Sequence, residues 1–177
     1  ENNAITGKFS GAALGESYQS DKGELTNRVK KEYYPHFVKW LVEMAKHYES
    51  NGVPVYALSP ANEPQFTQTF ESCVWTPQDL VTIIAMLGAE LEKEGLGRIK
   101  IFGPESMTGF NWRGGPNELF VKHLQANPDA LRALSVFATH GYEDGFQADV
   151  TRNSSAQFWE LIKSTGKPCW VTEGGTG

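Results

Sequence analysis

Four stretches of this 177-residue chain place an ionisable or hydrogen-bonding side chain directly after a short β-forming run. VPVYALS leads through SPANEP to Asn62 and Glu63, and RIKIFG leads to Glu105; SVFATH ends on His140 with Tyr142 close behind, and PCWVTE ends on Glu173. In parallel α/β folds chemistry collects at the C-terminal ends of the strands, so these groups are expected on one rim. Two carboxylates on a rim suit glycoside hydrolysis, in which one protonates the departing glycosidic oxygen and the other attacks or stabilises the anomeric carbon. Their separation decides the stereochemistry: roughly 5 to 5.5 Å gives a covalent intermediate and retention, whereas about 6.5 to 9.5 Å admits a water and gives inversion.

Each of these residues also has a plainer reading. Asn-Glu-Pro is a common turn, because Asn and Pro both favour turns, and Glu173 before Gly174-Gly175 could be a solvated strand end. His140 and Tyr142 suit a site and equally suit a packed interior where their polar tips find hydrogen bonds. Glu105 either orients a site residue or simply ends its strand. Trp75, Trp112 and Phe66 fall in expected rim loops, where a flat ring could stack on a sugar; Trp40, Trp159 and Trp170 fall in expected helices or a strand and read as core. Asn153-Ser154-Ser155 fits a glycosylation pattern, which matters only in a eukaryotic secretory pathway.

The elements that must position these groups follow from periodicity. From about Thr26 to Ser50, Phe37, Leu41, Met44 and Tyr48 form a helical stripe, with Pro35 bending or delaying the start and Asn51-Gly52 stopping it. VPVYALS (53–59) reads as a strand buried on both faces. TPQD at 76–79 announces a helix, with Thr76 at the N-cap, Pro77 in the first turn and Asp79 at the reciprocal capping position. Leu80, Ile83, Ile84, Leu87 and Leu91 form its buried face, and Gly95 and Gly97 end it. Strand 98–103, helices 116–124 and 127–134, strand 135–140, helix 154–166 and strand 168–173 complete the order, while residues 1–25 read as loop. Strands separated by helices imply parallel pairing, as a β/α barrel or an open doubly wound sheet.

Composition narrows the chemistry. The chain carries 21 acidic and 16 basic side chains, a formal charge of -5, with no basic run, which argues against a nucleic-acid partner. It has no apolar stretch of the roughly 20 residues a membrane helix needs, and ENNAITGKFS lacks the basic and apolar regions of a signal peptide. CxxC, HExxH, phosphate-loop and GxSxG motifs are all missing, so neither a metal nor another cofactor is expected.

SPANEPQF, ESCVWTP, GPES, HGY and WVTEGG together resemble the clan A retaining glycoside hydrolases, most of all family 30, with families 5 and 39 close. The resemblance runs from about Tyr34 to Glu173 and implies a parallel (β/α)8 TIM barrel of which this chain holds about strands 4 to 7. It implies that Glu63 is the acid/base, Glu173 the nucleophile and Asn62 a partner of the sugar 2-hydroxyl, with His140, Tyr142 and Trp112 around the substrate. It further implies a secreted enzyme, extracellular or periplasmic, acting within a β-linked polysaccharide of the xylan or β-glucan (cellulose) class. A complete barrel takes about 250 residues, so residues 1–177 are expected to be a partial catalytic domain whose missing strands belong to a longer chain. A non-catalytic carbohydrate-binding remnant and an open α/β protein binding a small ligand are the competing classes.

The two cysteines are expected not to pair. Cys169 lies four strand residues before Glu173, some 13 Å below the rim at about 3.3 Å per residue and on the same face, buried toward the barrel interior. Cys73 follows Glu63 in a loop at or above the rim, beyond the about 4.4 to 6.8 Å Cα separation a disulfide allows.

Overall fold

The computed structural model describes residues 28–65, 73–108, 111–112, 115–142 and 154–175. The expected loop 1–25, Phe66 and Asn153 lie outside the described residues. Helix α1 (Tyr34–Ser50) follows a short 3-10 turn at Lys31–Tyr33, with Pro35 in its first turn, where a missing N–H costs no hydrogen bond. Gly52, at φ 79, ends it as expected. Its buried face is Tyr34, Val38, Val42 and Ala45, not the larger stripe: Phe37, Leu41 and Met44 are half-buried and Tyr48 is exposed. The two stripes are one residue apart, about 100° of helix turn. Past Tyr34, the smaller Val38, Val42 and Ala45 face the core, and the bulkier side chains flank it.

Strand β1 is only Ala57–Leu58, and most of 53–59 is exposed or half-buried, against the expectation of a strand buried on both faces. Pro54 has no N–H to give a ladder, and β1 forms one edge of its sheet. Helix α2 (Pro77–Lys93) begins as its sequence announces: Thr76 Oγ1 accepts from the Asp79 N–H at 3.1 Å. The Asp79 carboxylate does not complete the reciprocal cap. It turns instead to Lys31 at 3.4 Å and Arg28 at 3.9 Å, fastening α2 to the segment before α1.

Strand β2 (Lys100–Ser106) is followed by a pair of two-residue strands, β3 (Asn111–Trp112) and β4 (Gly115–Pro116), antiparallel and unforeseen. Helices α3 (Asn117–Ala126) and α4 (Pro128–Ala133), strand β5 (Leu134–His140), helix α5 (Ser154–Ile162) and strand β6 (Cys169–Glu173) complete the order. The main sheet runs β1-β2-β5-β6 with every pair parallel. Four parallel strands with interleaved helices make a half-barrel. Among the described residues no helix is long and apolar enough to cross a membrane.

The core fills the space between sheet and helices. The α2 stripe Leu80, Ile83, Ile84, Leu87 and Leu91 is buried as expected, against Ile101 of β2, Leu134 and Phe137 of β5, Phe120 and Leu124 of α3 and Phe158 and Ile162 of α5. Full burial of each such side chain stabilises by about 1.5–3 kcal/mol. Trp75 joins this core at 2% exposure, packed against Tyr34 and Phe37, so it is no platform for a sugar. Trp40 and Trp159, expected in the core, are 53% and 45% exposed on helix faces turned from the sheet.

Trp170 is half-buried on the helix-free face of the sheet. It stacks on Tyr56, just before β1, with ring centroids 6.2 Å apart, and meets Phe102 of β2 at 5.7 Å. Three strand spacings in a flat sheet would put the two edge strands about 14 Å apart. Contact between rings from opposite edges therefore requires a sheet curled as in a barrel.

Both cysteines are free, as expected. Their settings differ from expectation. Cys73 packs against the hydrophobic core, and burial pushes its thiol up to about 12. Cys169 also packs against the core, on the helix side, not the barrel interior. The two-residue alternation that linked it to Glu173 is broken, because Thr139 pairs with Val171 but His140 pairs with Glu173.

Candidate active site

The C-terminal ends of β2, β5 and β6 and the segment after β1 converge on His140. Its side chain is fully buried, with Nδ1 3.1 Å from Glu63 Oε1 and 3.6 Å from Glu173 Oε2, and Nε2 3.5 Å from Glu105 Oε2. Burial acts to lower the ring's pKa, but the Glu105 carboxylate facing Nε2, the hydrogen bond to Glu63 and the charge of Glu173 outweigh it and push it up to about 9. The raised pKa favours the charged ring, which carries an N–H donor on both sides. The Nε2 contact is long for a hydrogen bond, and Nε2 has no other acceptor among the described residues. Glu105 holds that side of the ring by charge.

Glu63 reaches this point because the chain bends sharply after β1. It is 4% exposed and sits at φ 46, in the left-handed region, where a non-glycine residue costs roughly 1–2 kcal/mol. Pro64 follows, and the Pro64 carbonyl accepts from the Trp75 N–H at 2.8 Å, turning the chain back toward α2. Glu105, at φ 67, is strained in the same way, and its carbonyl accepts the Glu63 N–H at 2.8 Å. Two neighbouring carboxylate residues in strained backbone, tied to each other, mark a place where fold stability yields to side-chain placement.

Glu173 is the exposed member of the group, with its side chain 46% accessible. Tyr142 donates its hydroxyl to Glu173 Oε2 at 3.3 Å, and the Gly141 N–H donates to the Glu173 carbonyl at 2.7 Å. Partial burial and the charge of Glu173 raise the Tyr142 phenol above its ordinary value. Thr172 donates to Glu105 Oε1 at 2.5 Å. The β2 end is anchored by Asn117, whose Oδ1 accepts from Ser106 and whose amide donates to the Thr108 carbonyl.

Of the residues singled out from sequence, the structure thus brings together Glu63, Glu105, His140, Tyr142 and Glu173. Asn62 is exposed beside Glu63, open to a ligand. Trp112 lies in β3 by its backbone, while its side chain lies outside the described residues. Thr172 was not singled out; its only signal was a hydroxyl next to a rim carboxylate.

Ligand atoms of Glu63, His140 and Glu173 lie within 4.8 Å of one another, close enough to be compared with a metal site. The same distance places two carboxylates together at opposite edges of the half-barrel.

A half-barrel with paired carboxylates at its strand ends is the fold of clan A glycoside hydrolases in part. No protein-family model matches the chain. It is 27% identical over 161 residues to glucuronoxylanase XynC of Bacillus subtilis, a match that covers 89% of this chain and 32% of that protein. Its fold is similar to that of the glycoside hydrolase family 30 subfamily 8 xylanase Xyn30A from Clostridium acetobutylicum, with TM-score 0.62 and 26% identity over 82% of this chain and 32% of that one. The family 30 endoxylanase from Clostridium papyrosolvens gives TM-score 0.61 and 22% identity over 91% of this chain and 36% of that one. The chain is a partial match to glycoside hydrolase family 30 and spans about a third of the length of these relatives.

Proposed function

We propose that this chain carries the catalytic part of a retaining, endo-acting glycoside hydrolase that cleaves a β-linked polysaccharide, of the xylan or β-glucan class, by double displacement. The observation that carries this reading is the approach of Glu63 and Glu173 carboxylate oxygens to within 4.8 Å. Glu63 holds a proton, for which His140 Nδ1 at 3.1 Å is a source, and gives it to the departing oxygen while Glu173 attacks the anomeric carbon; Glu63 then takes a proton from the water that releases the sugar. Tyr142 orients the attacking carboxylate, and Asn62 bonds the sugar 2-hydroxyl, an interaction that strengthens toward the transition state. The names of the relatives favour xylan. A polymer of that kind is met outside the cell, and we place the protein there or in a periplasm.

The test uses the whole protein that contains this segment, supplied with polymeric xylan and β-glucan. Hydrolysis that gives products of retained anomeric configuration, and that falls about 10⁴-fold or more in Glu173→Gln, is the expected result. Binding of the polymer without any turnover would replace the enzyme with a carbohydrate-binding remnant.

A further inference from the structure

Glu105 has a part in this site that neither the paired-carboxylate mechanism nor the relatives' names assign. Its side chain is 7% exposed, and a carboxylate buried that deeply needs partners. It has them on two strands, the Thr172 hydroxyl of β6 and the His140 ring of β5. Its carbonyl holds the Glu63 N–H from a third direction, and its left-handed backbone aims the side chain inward. One residue at the end of β2 therefore touches every other segment of the rim.

We propose that Glu105 is a positioning residue for Glu63 and Glu173, holding the His140 ring from its Nε2 side so that Nδ1 stays turned on both carboxylates. Its side chain acts on the two carboxylates through His140, while its carbonyl fixes the Glu63 backbone. The inference rests on the glycosidase reading for the identity of the reaction, but not for the contact itself. The ionisable groups around the ring are Glu63 after β1, Glu105 on β2, Tyr142 after β5 and Glu173 on β6. Of these, Glu105 alone faces Nε2. Without its charge the ring is free to swing and to lose its proton near neutrality, which would leave Nδ1 without a fixed role between the two carboxylates.

The experiment compares the whole protein with Glu105→Gln and Glu105→Asp, following His140 by NMR of labelled histidine as pH rises, alongside kcat and KM. In Glu105→Gln the His140 midpoint is expected to fall from near 9 by at least about one unit, with kcat down about 10- to 100-fold and KM within about twofold. Glu105→Asp, which keeps the charge, should restore part of both. A folded Glu105→Gln whose His140 midpoint stays in place, or whose kcat is unchanged, overturns the proposal. If Glu105→Gln does not fold, Thr172→Val and Thr172→Ser decide: kcat lost in the first and recovered in the second supports it, and full kcat in Thr172→Val overturns it. Should the whole protein hydrolyse no polysaccharide, the glycosidase reading fails, while the His140 titration still tells whether Glu105 holds the ring.

Discussion

His140 Nδ1 and Glu63 Oε1 meet at 3.1 Å across 77 positions of sequence. Through the register Leu58–Ile101–Leu134, β1 stops level with the start of β5, so the contact needs residues 59–62 to carry the chain on toward the rim and the left-handed turn at Glu63 to bring a carboxylate inward. The acid and base chemistry assigned to this rim depends on that meeting.

Glu63→Gln should discriminate between leaving groups. With a polysaccharide or another poor leaving group, loss of the general acid should cost about 10²–10⁴-fold in kcat/KM. With an activated aryl glycoside, which departs unprotonated, the loss should be far smaller. Steady-state kinetics on both substrates check this, and an equal loss on both removes Glu63 from the acid role.

Tyr142→Phe removes one hydroxyl donor from Glu173 Oε2. At about 0.5–1.5 kcal/mol for such a bond, kcat should drop about 2- to 10-fold with the unfolding midpoint little changed. An unaltered kcat would mean that the phenol does not orient the nucleophile.

Stability should fall with rising pH on account of His140. Its folded-state pKa, about 9, lies above the unperturbed 6.5, so its charge stabilises fully below about pH 6.5 and the contribution is lost as pH rises through about 9. The buried Cys73 thiol adds a loss of the same sign only above its unperturbed 9.0. Urea unfolding of the whole protein between pH 6 and pH 9 should show a declining midpoint, and Glu105→Gln should flatten that decline. A midpoint that climbs over this range contradicts the charged ring.

Gly88→Ala tests how tightly α2 lies against α4. A Cβ at Gly88 would stand 2.4 Å from Ala133 Cβ, inside any real contact. Alanine favours helix by about 1 kcal/mol over glycine, yet overpacking costs about 1–3 kcal/mol, so the balance should be destabilising. Thermal unfolding reads the sign; a raised Tm would show that the two helices separate freely.

Counting thiols tests the cysteines. In denatured, unreduced protein, Cys73→Ser and Cys169→Ser should each lower the number of free thiols by one. Were the two bridged, either substitution would raise it by one.

Much of this was legible in the chain. Helix α2 carried a cap, a first-turn proline and an unbroken apolar stripe, and each is where local chemistry put it. The strands before His140 and Glu173 were readable as β-rich runs between helices, and so was the gathering of their terminal groups. What escaped depended on tertiary contact. Which side of α1 faces inward was set by the smaller residues that allow close approach. The face of Cys169 turned on an irregular register near the end of β6, which no alternation rule contains. The β3–β4 pair is too short to announce itself, and Glu105 could not be told apart from a plain strand end because its partners, Thr172 and His140, lie far along the sequence.

The rings of Tyr56, Phe102 and Trp170, the first and last stacked and Phe102 tilted against Trp170, lie upstream of Glu63, Glu105 and Glu173 on their respective segments, toward the N-terminal side of the sheet. At about 3.3 Å per strand residue, Phe102 and Trp170 fall about 10 Å beneath the carboxylates. They form an apolar floor beneath a charged rim, with Tyr56 still 65% exposed at its edge and the other two rings half-buried. Any segment that closed the curl of this sheet would cover the rings and, in the same step, dry the ground beneath the carboxylates.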